Sequence, residues 1–265
     1  MKAMLADHTL DGGREKFLNL ITFPKIVMPK YDGIRVMKVN GVLKMRSGKT
    51  VPNGYLRAAL KDLPDGREGE LVVNNSFSDT TSFVRSHYKE DERWHLYMFD
   101  RFDIPDKEFG DRIHRLHFER KPSLRIHCAS YDIVNSLEEL LQLEQQYVLD
   151  GLEGVIIRDP DAPYKFGRVT FKEQSYLSFK RAMTETARVI GYECKLEGGM
   201  SVDTLGSLQL RTSEGVEFSC GSGLDDMSRS ILWSIKDELI GKSVEFKYQR
   251  SEQVKPRFPV FLRML

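Results

Sequence analysis

Short runs of alternating apolar and polar residues mark much of the first two thirds of the chain as strand. Ile34–Val39 and Val42–Met45 flank Asn40-Gly41, the strongest short-range hairpin signal, because both turn positions require φ > 0. Leu71–Val73, Leu96–Phe99 and Gly154–Ile157 are further apolar runs of strand length. The period becomes helical in two places. Leu56, Leu60 and Leu63 follow Asn53, and Leu137, Leu140, Leu141 and Val148 follow Ser136, which makes a capping box with Glu139. Up to about residue 183 the pattern is antiparallel-rich α+β.

Beyond that point the texture changes. Arg188–Tyr192, Leu205–Leu210, Val216–Cys220, Val244–Tyr248 and Phe258–Leu262 read as five strands. A helix over Met227–Leu239, behind Asp225-Asp226, separates the third from the fourth. This order is that of an OB-fold β-barrel. The pattern therefore predicts an α+β chain with one domain over 1–183 and an OB domain over 184–265.

Composition narrows the class without naming a partner. Apolar residues make up 40% and charged residues 30% of the 265, as in a globular protein. No run approaches the length of a membrane span, and Met1–Asp11 lacks the apolar core of a secretory signal. Cys128, Cys194 and Cys220 have neither disulfide-scaffold nor zinc-site spacing, so a reducing, cytoplasmic setting is expected. Net charge is +1, so any nucleic-acid surface must come from local clustering. Arg112, Arg115, Arg120, Lys121 and Arg125 form one such stretch, either a phosphate-contacting face or a solvated helix.

The candidate chemistry begins at Pro29-Lys30-Tyr31-Asp32-Gly33-Ile34-Arg35. A lysine amine can attack phosphorus only when deprotonated, so such a site must lower its pKa or remove its proton, and nearby cations or a metal would serve. Alone, the string reads equally well as a charged turn. Four clusters follow it in order: Arg46-Ser47, Glu68-Gly69-Glu70-Leu71, Tyr97-Met98-Phe99-Asp100 and Glu153-Gly154-Val155-Ile156-Ile157-Arg158. Acids and cations together at strand edges suit a triphosphate with magnesium.

This order, continued by Tyr164-Lys165-Phe166-Gly167-Arg168, resembles the covalent nucleotidyltransferases, and among them the small viral ATP-dependent DNA ligases of the chlorella virus type. Phe77–Ser82 and Pro256–Phe261 extend the resemblance over nearly the whole chain. The resemblance implies that Lys30, set beside Tyr31 and Asp32, takes AMP from ATP and passes it to the 5′-phosphate of nicked duplex DNA. It assigns Arg35 and Arg46 to the ribose side and the nick phosphate, and Glu70 to ribose and metal. Phe99 would stack on adenine, Glu153 would help place Mg2+ (or Mn2+), Lys180 would contact the α-phosphate, and Arg257 would act from the OB domain. A monomer is expected.

Two departures stand out. The family has two alternate lysines where this chain reads Leu177-Ser178-Phe179-Lys180, and Lys172 or Arg181 is expected to compensate for Ser178. Only Glu193–Thr204 is available where chlorella-type ligases carry a long DNA-clasping insertion. The rival enzymes that share the lysine motif are RNA ligases and mRNA capping guanylyltransferases. A non-catalytic OB-type nucleic-acid binder is the rival from another class.

Overall fold

The computed structural model describes residues 2–11, 15–119, 123–249 and 255–265. Two compact units divide it, Met1–Lys180 and Arg181–Leu265. The first holds two sheets. One has the order β7-β1-β8-β9, built from β1 (Lys25–Pro29), β7 (Asp132–Val134), β8 (Val155–Arg158) and β9 (Tyr176–Phe179). The other has the order β3-β2-β4-β5-β6, built from β2 (Ile34–Val39), β3 (Val42–Met45), β4 (Arg67–Val73), β5 (Trp94–Arg101) and β6 (Ile126–Cys128). Every pairing is antiparallel except β5 with β6.

Local chemistry accounts for these elements. Asn40 and Gly41 take φ of 51° and 73°, so β2 and β3 close with Val39 opposite Val42. Helix α1 (Gly54–Ala59) starts where the Asn53 side chain accepts the Leu56 N–H, and α2 (Phe77–Arg85) starts on Ser76 in the same way. Helix α3 (Phe109–Phe118) buries Phe109, Ile113 and Leu116 against the second sheet, alongside Leu56, Phe83 and Leu96. At α4 (Leu137–Leu149) the Ser136 hydroxyl accepts the Glu139 N–H, but the Glu139 carboxylate returns to the N–H of Asn135 rather than Ser136. The box is closed one residue early.

The second unit is a five-stranded antiparallel sheet with the order β12-β11-β10-β13-β14. Its strands are β10 (Met183–Glu197), β11 (Met200–Arg211), β12 (Glu217–Cys220), β13 (Ser243–Gln249) and β14 (Arg257–Met264). A bridge between Ser222 and Val260 draws the two edge strands together at one point. The expected helix is shorter: α5 spans Asp226–Ser234, and Lys236–Leu239 tightens into a separate 3-10 turn. The segment Glu193–Thr204 forms the end of a long β10–β11 hairpin turned by Gly198-Gly199.

Candidate nucleotidyl-transfer site

Strand β1 lies in the first sheet and β2 in the second, so Lys30–Gly33 is the crossing from one to the other. Lys30 leaves β1 still paired: its N–H donates to Gly154 O at 3.0 Å, and the Glu153 N–H donates to Lys30 O at 3.1 Å. This exchange sets Glu153 beside the lysine. Gly154 holds φ of 145°, and a Cβ there would collide with the carbonyl oxygen of Phe179. Glycine thus lets the Glu153 loop press against the end of β9, where Lys180 follows.

The result is a carboxylate shared by two ammonium groups. Lys30 Nζ lies 2.6 Å from Glu153 Oε2, and Lys180 Nζ lies 2.5 Å from Glu153 Oε1. Burial pulls the Lys30 pKa down, but the charge and hydrogen bond of Glu153, aided by Glu70, outweigh it and leave it above its ordinary value. Of the two routes to a free amine, a lowered pKa or removal of the proton, the resting site does not take the first. Lys180 is lowered, chiefly by burial and then by Lys30, with Glu153 opposing. Lys30 therefore rests protonated in the hold of Glu153.

A pocket opens beside this pair, lined by Met28, Pro29, Lys30 and Tyr31 with Glu70, Phe99, Ile156 and Tyr176. Both sheets contribute to it. Phe99 and Tyr176 supply aromatic walls, and each is backed by a buried guanidinium. Arg35 lies 5.0 Å from the Phe99 ring centre, and Arg158 lies 4.3 Å from that of Tyr176. Arg35 is not held out as a free fork. Its Nη2 bonds Glu68 at 2.6 Å and its Nη1 bonds Met4 O at 2.7 Å. It supports the pocket wall from below.

Glu70 sits opposite Arg35 in the β2–β4 register and reaches the pocket. Burial raises its carboxyl to about 7, against the pull of Lys30 and Arg35 and with the help of Glu153 and Asp32. Between its unfolded value of about 4.3 and that point the native state keeps a proton the unfolded chain has lost, so stability falls as pH rises through this window. Glu70→Gln should therefore raise Tm at pH 8 by about 5 °C and leave it unchanged at pH 4. Thermal melts of both proteins at the two pH values decide it; equal melting at pH 8 would refute the strain.

Other expected residues lie elsewhere. Arg46 is exposed in the turn after β3 and lines a different cavity, with Ala3, Met37 and Val39. Lys172 is exposed in the turn before β9, whereas Lys180 follows the opposite end of that strand. Ser178 is buried, and its hydroxyl donates to Asp11 at 3.0 Å. Arg257 begins β14 in the second unit, with its guanidinium 5.3 Å from the Phe258 ring centre. Arg120 and Lys121 lie outside the described residues, and Arg112 is fully buried rather than on a phosphate-contacting face. Sequence reasoning missed Tyr176. Its signal was its place two residues before Ser178 and four before Lys180, on one face of β9.

Comparison with known proteins places this geometry. The ATP dependent DNA ligase domain matches residues 3–180, and the DNA ligase OB-like domain matches residues 198–264. A DNA ligase of Haemophilus influenzae is 30% identical over 250 residues, covering 90% of this chain and 85% of its own length. The crystal structure of Chlorella virus DNA ligase-adenylate is 32% identical, with a TM-score of 0.60 and coverage of 100% of this chain and 99% of the viral one. A minimal Lig E DNA ligase shares the fold at a TM-score of 0.79 and 24% identity, covering 100% of this chain and 99% of that one.

Proposed function

Because the chain belongs to the ATP-dependent DNA ligases, we propose that Lys30 is the residue that carries AMP and that its neighbours in the pocket hold the nucleotide. The enzyme joins DNA ends through an adenylate intermediate. The carrying observation is the position of Lys30, on a pocket wall and paired through Glu153 with a second ammonium. In the first transfer the Lys30 amine attacks the α-phosphorus, forming the N–P bond as pyrophosphate leaves. AMP then passes to the DNA 5′-phosphate, and the 3′-hydroxyl displaces it. Positioning and charge neutralisation carry all three steps.

Phe99 and Tyr176 take the base between them, Tyr31 and Glu70 border the sugar, and Lys180 offsets charge on the α-phosphate. Asp32 is one of the groups that raise the Glu70 carboxyl. Residues 1–183 act as the adenylation domain, and 184–265 as an OB domain that brings Arg257 to the nucleotide. The long β10–β11 hairpin supports a role in holding nicked duplex DNA. The protein acts as a monomer in the cytoplasm, consistent with three cysteines outside any disulfide.

Among the described residues no three metal-ligating side chains converge into a ready-made cage. Mg2+ or Mn2+ needs no such cage, since it binds through one or two carboxylates together with substrate phosphates and water. Glu70, raised by burial and by neighbouring carboxylates, is a group that a cation would stabilise in its ionised form. Glu153 fits as a ligand only when one of its lysines withdraws. Bound there, the cation supplies charge neutralisation for the phosphates.

The test is labelling with ATP or GTP carrying phosphorus-32 in the α-position, followed by peptide mapping and by sealing of a nicked duplex. Label from ATP on Lys30, followed by sealing, is expected. Label from GTP alone would point to a capping enzyme, and sealing confined to RNA nicks to an RNA ligase. Absence of any adduct would leave a non-catalytic binder.

A further inference from the structure

Strand β5 alternates from Trp94 to Asp100: Leu96 and Met98 are buried in the core, while His95, Tyr97 and Phe99 share the opposite, half-buried face. Phe99 belongs to the pocket. The two residues behind it join a column of flat rings. Tyr31 stacks on Tyr97 with centres 4.1 Å apart and planes 11° from parallel. Tyr97 meets His127 of the edge strand β6 at 5.3 Å and 26°, and His127 meets His95 at 5.2 Å. A hydrogen bond of 3.0 Å between His95 Nδ1 and His127 Nε2 ties off the far end.

The near end of the column is a wall of the nucleotide pocket. Tyr31 belongs to no strand, and its ring is set by what it stacks on. Burial raises the Tyr31 and Tyr97 hydroxyls above their ordinary pKa, so both rings stay neutral and the stack is not strained by charge. The residue before Tyr31 is the nucleophile. A tilt of Tyr31 therefore moves both the pocket wall and the backbone that aims Lys30.

We infer that Tyr97, braced by His127 and His95, is a positioning residue for nucleotidyl transfer: it holds Tyr31 as a fixed wall of the pocket and so sets the approach of Lys30. This rests on the assignment of Lys30 as the adenylated residue. An ordinary packing role for Tyr97 would affect melting but would leave nucleotide affinity untouched.

The experiment measures the rate of lysyl-AMP formation against ATP concentration in the full chain, for wild type, Tyr97→Phe, Tyr97→Leu, Tyr31→Leu and the Tyr31→Leu/Tyr97→Leu double variant. Tyr97→Phe keeps the flat face and should stay within about twofold of wild type. Tyr97→Leu keeps apolar bulk but loses the face, and the ATP concentration for half-maximal rate should rise about tenfold. The double variant should be no worse than Tyr31→Leu alone, since the two rings act as one unit. Wild-type kinetics in Tyr97→Leu, or simple additivity in the double variant, would overturn the inference while leaving the ligase assignment intact. A wild-type protein that forms no adduct would overturn both.

Discussion

Glu153→Gln is expected to slow lysyl-AMP formation by about a hundred- to a thousandfold, the cost of removing one preorganised charge from a transfer site. The variant keeps the shape of the side chain but loses the anion that aligns Lys30 at 2.6 Å and Lys180 at 2.5 Å. Its pH dependence separates this loss from misfolding. Attack requires the free amine, so the rate climbs with pH as Lys30 gives up its proton. In the wild type Glu153 holds that lysine above its ordinary value. With glutamine the opposing effect of burial prevails and the midpoint moves to lower pH, by about one unit or more. The deficit is then smallest at low pH, where the variant has more free amine than the wild type, and largest at high pH. Burst adenylation rates across pH 6 to 10 would show the variant levelling off while the wild type still climbs, and profiles of the same shape over that range would dismiss Glu153 as the group that sets the lysine.

The second large effect is on stability. Asp100 accepts from Arg112 Nε at 2.8 Å and from Arg158 Nη2 at 2.8 Å, and all three side chains are fully buried. Burial alone would push the Asp100 carboxyl up, but the Arg158 and Arg112 guanidinium groups outweigh it and hold it below its usual range. Asp100→Asn leaves two buried cations facing a neutral amide, which should cost about 3–5 kcal/mol and lower Tm by roughly 10 °C. The sign with pH follows. The depressed carboxyl stabilises the fold above its unfolded pKa of about 3.9, and that contribution is lost as pH falls through the folded value. The gap between wild type and variant should therefore narrow in urea titrations as pH falls below about 3.9. A gap that stays constant through that fall would show that the charge is not what Asp100 supplies.

The same carboxylate shows what the chain alone conceals. The Asn40-Gly41 hairpin, the Asn53 and Ser136 caps, and the strand bearing Glu70 were legible because each signal is local. Lys30, Glu70, Phe99, Glu153 and Lys180 were legible as a set only through their order, and the two sheets bring them to one place. Arg112 misled because a basic residue near Arg115 looks solvated until Asp100 is seen beneath it. Arg46 and Lys172 lie in exposed turns outside the lining of the nucleotide pocket, a placement that nothing local in the sequence shows. Tyr176 carried no motif, and although Tyr31 and Tyr97 sit inside the lysine and Phe-Asp clusters, nothing there points to a column with His127 and His95. Their roles arise from register: β9 alternation, and β6 lying parallel to β5.

The shared Glu153 also makes the site keep a charge count across the reaction. Before transfer, two ammonium groups face one carboxylate, and this trio carries one net positive charge that attracts a polyphosphate. On the proposed adenylation of Lys30, that ammonium is gone and a phosphate anion has been added. The same cluster, with Lys180 as its remaining cation, then carries one net negative charge. Adenylation thus inverts what the pocket attracts: pyrophosphate is repelled, a second ATP is not drawn in, and the loaded enzyme is left to await DNA.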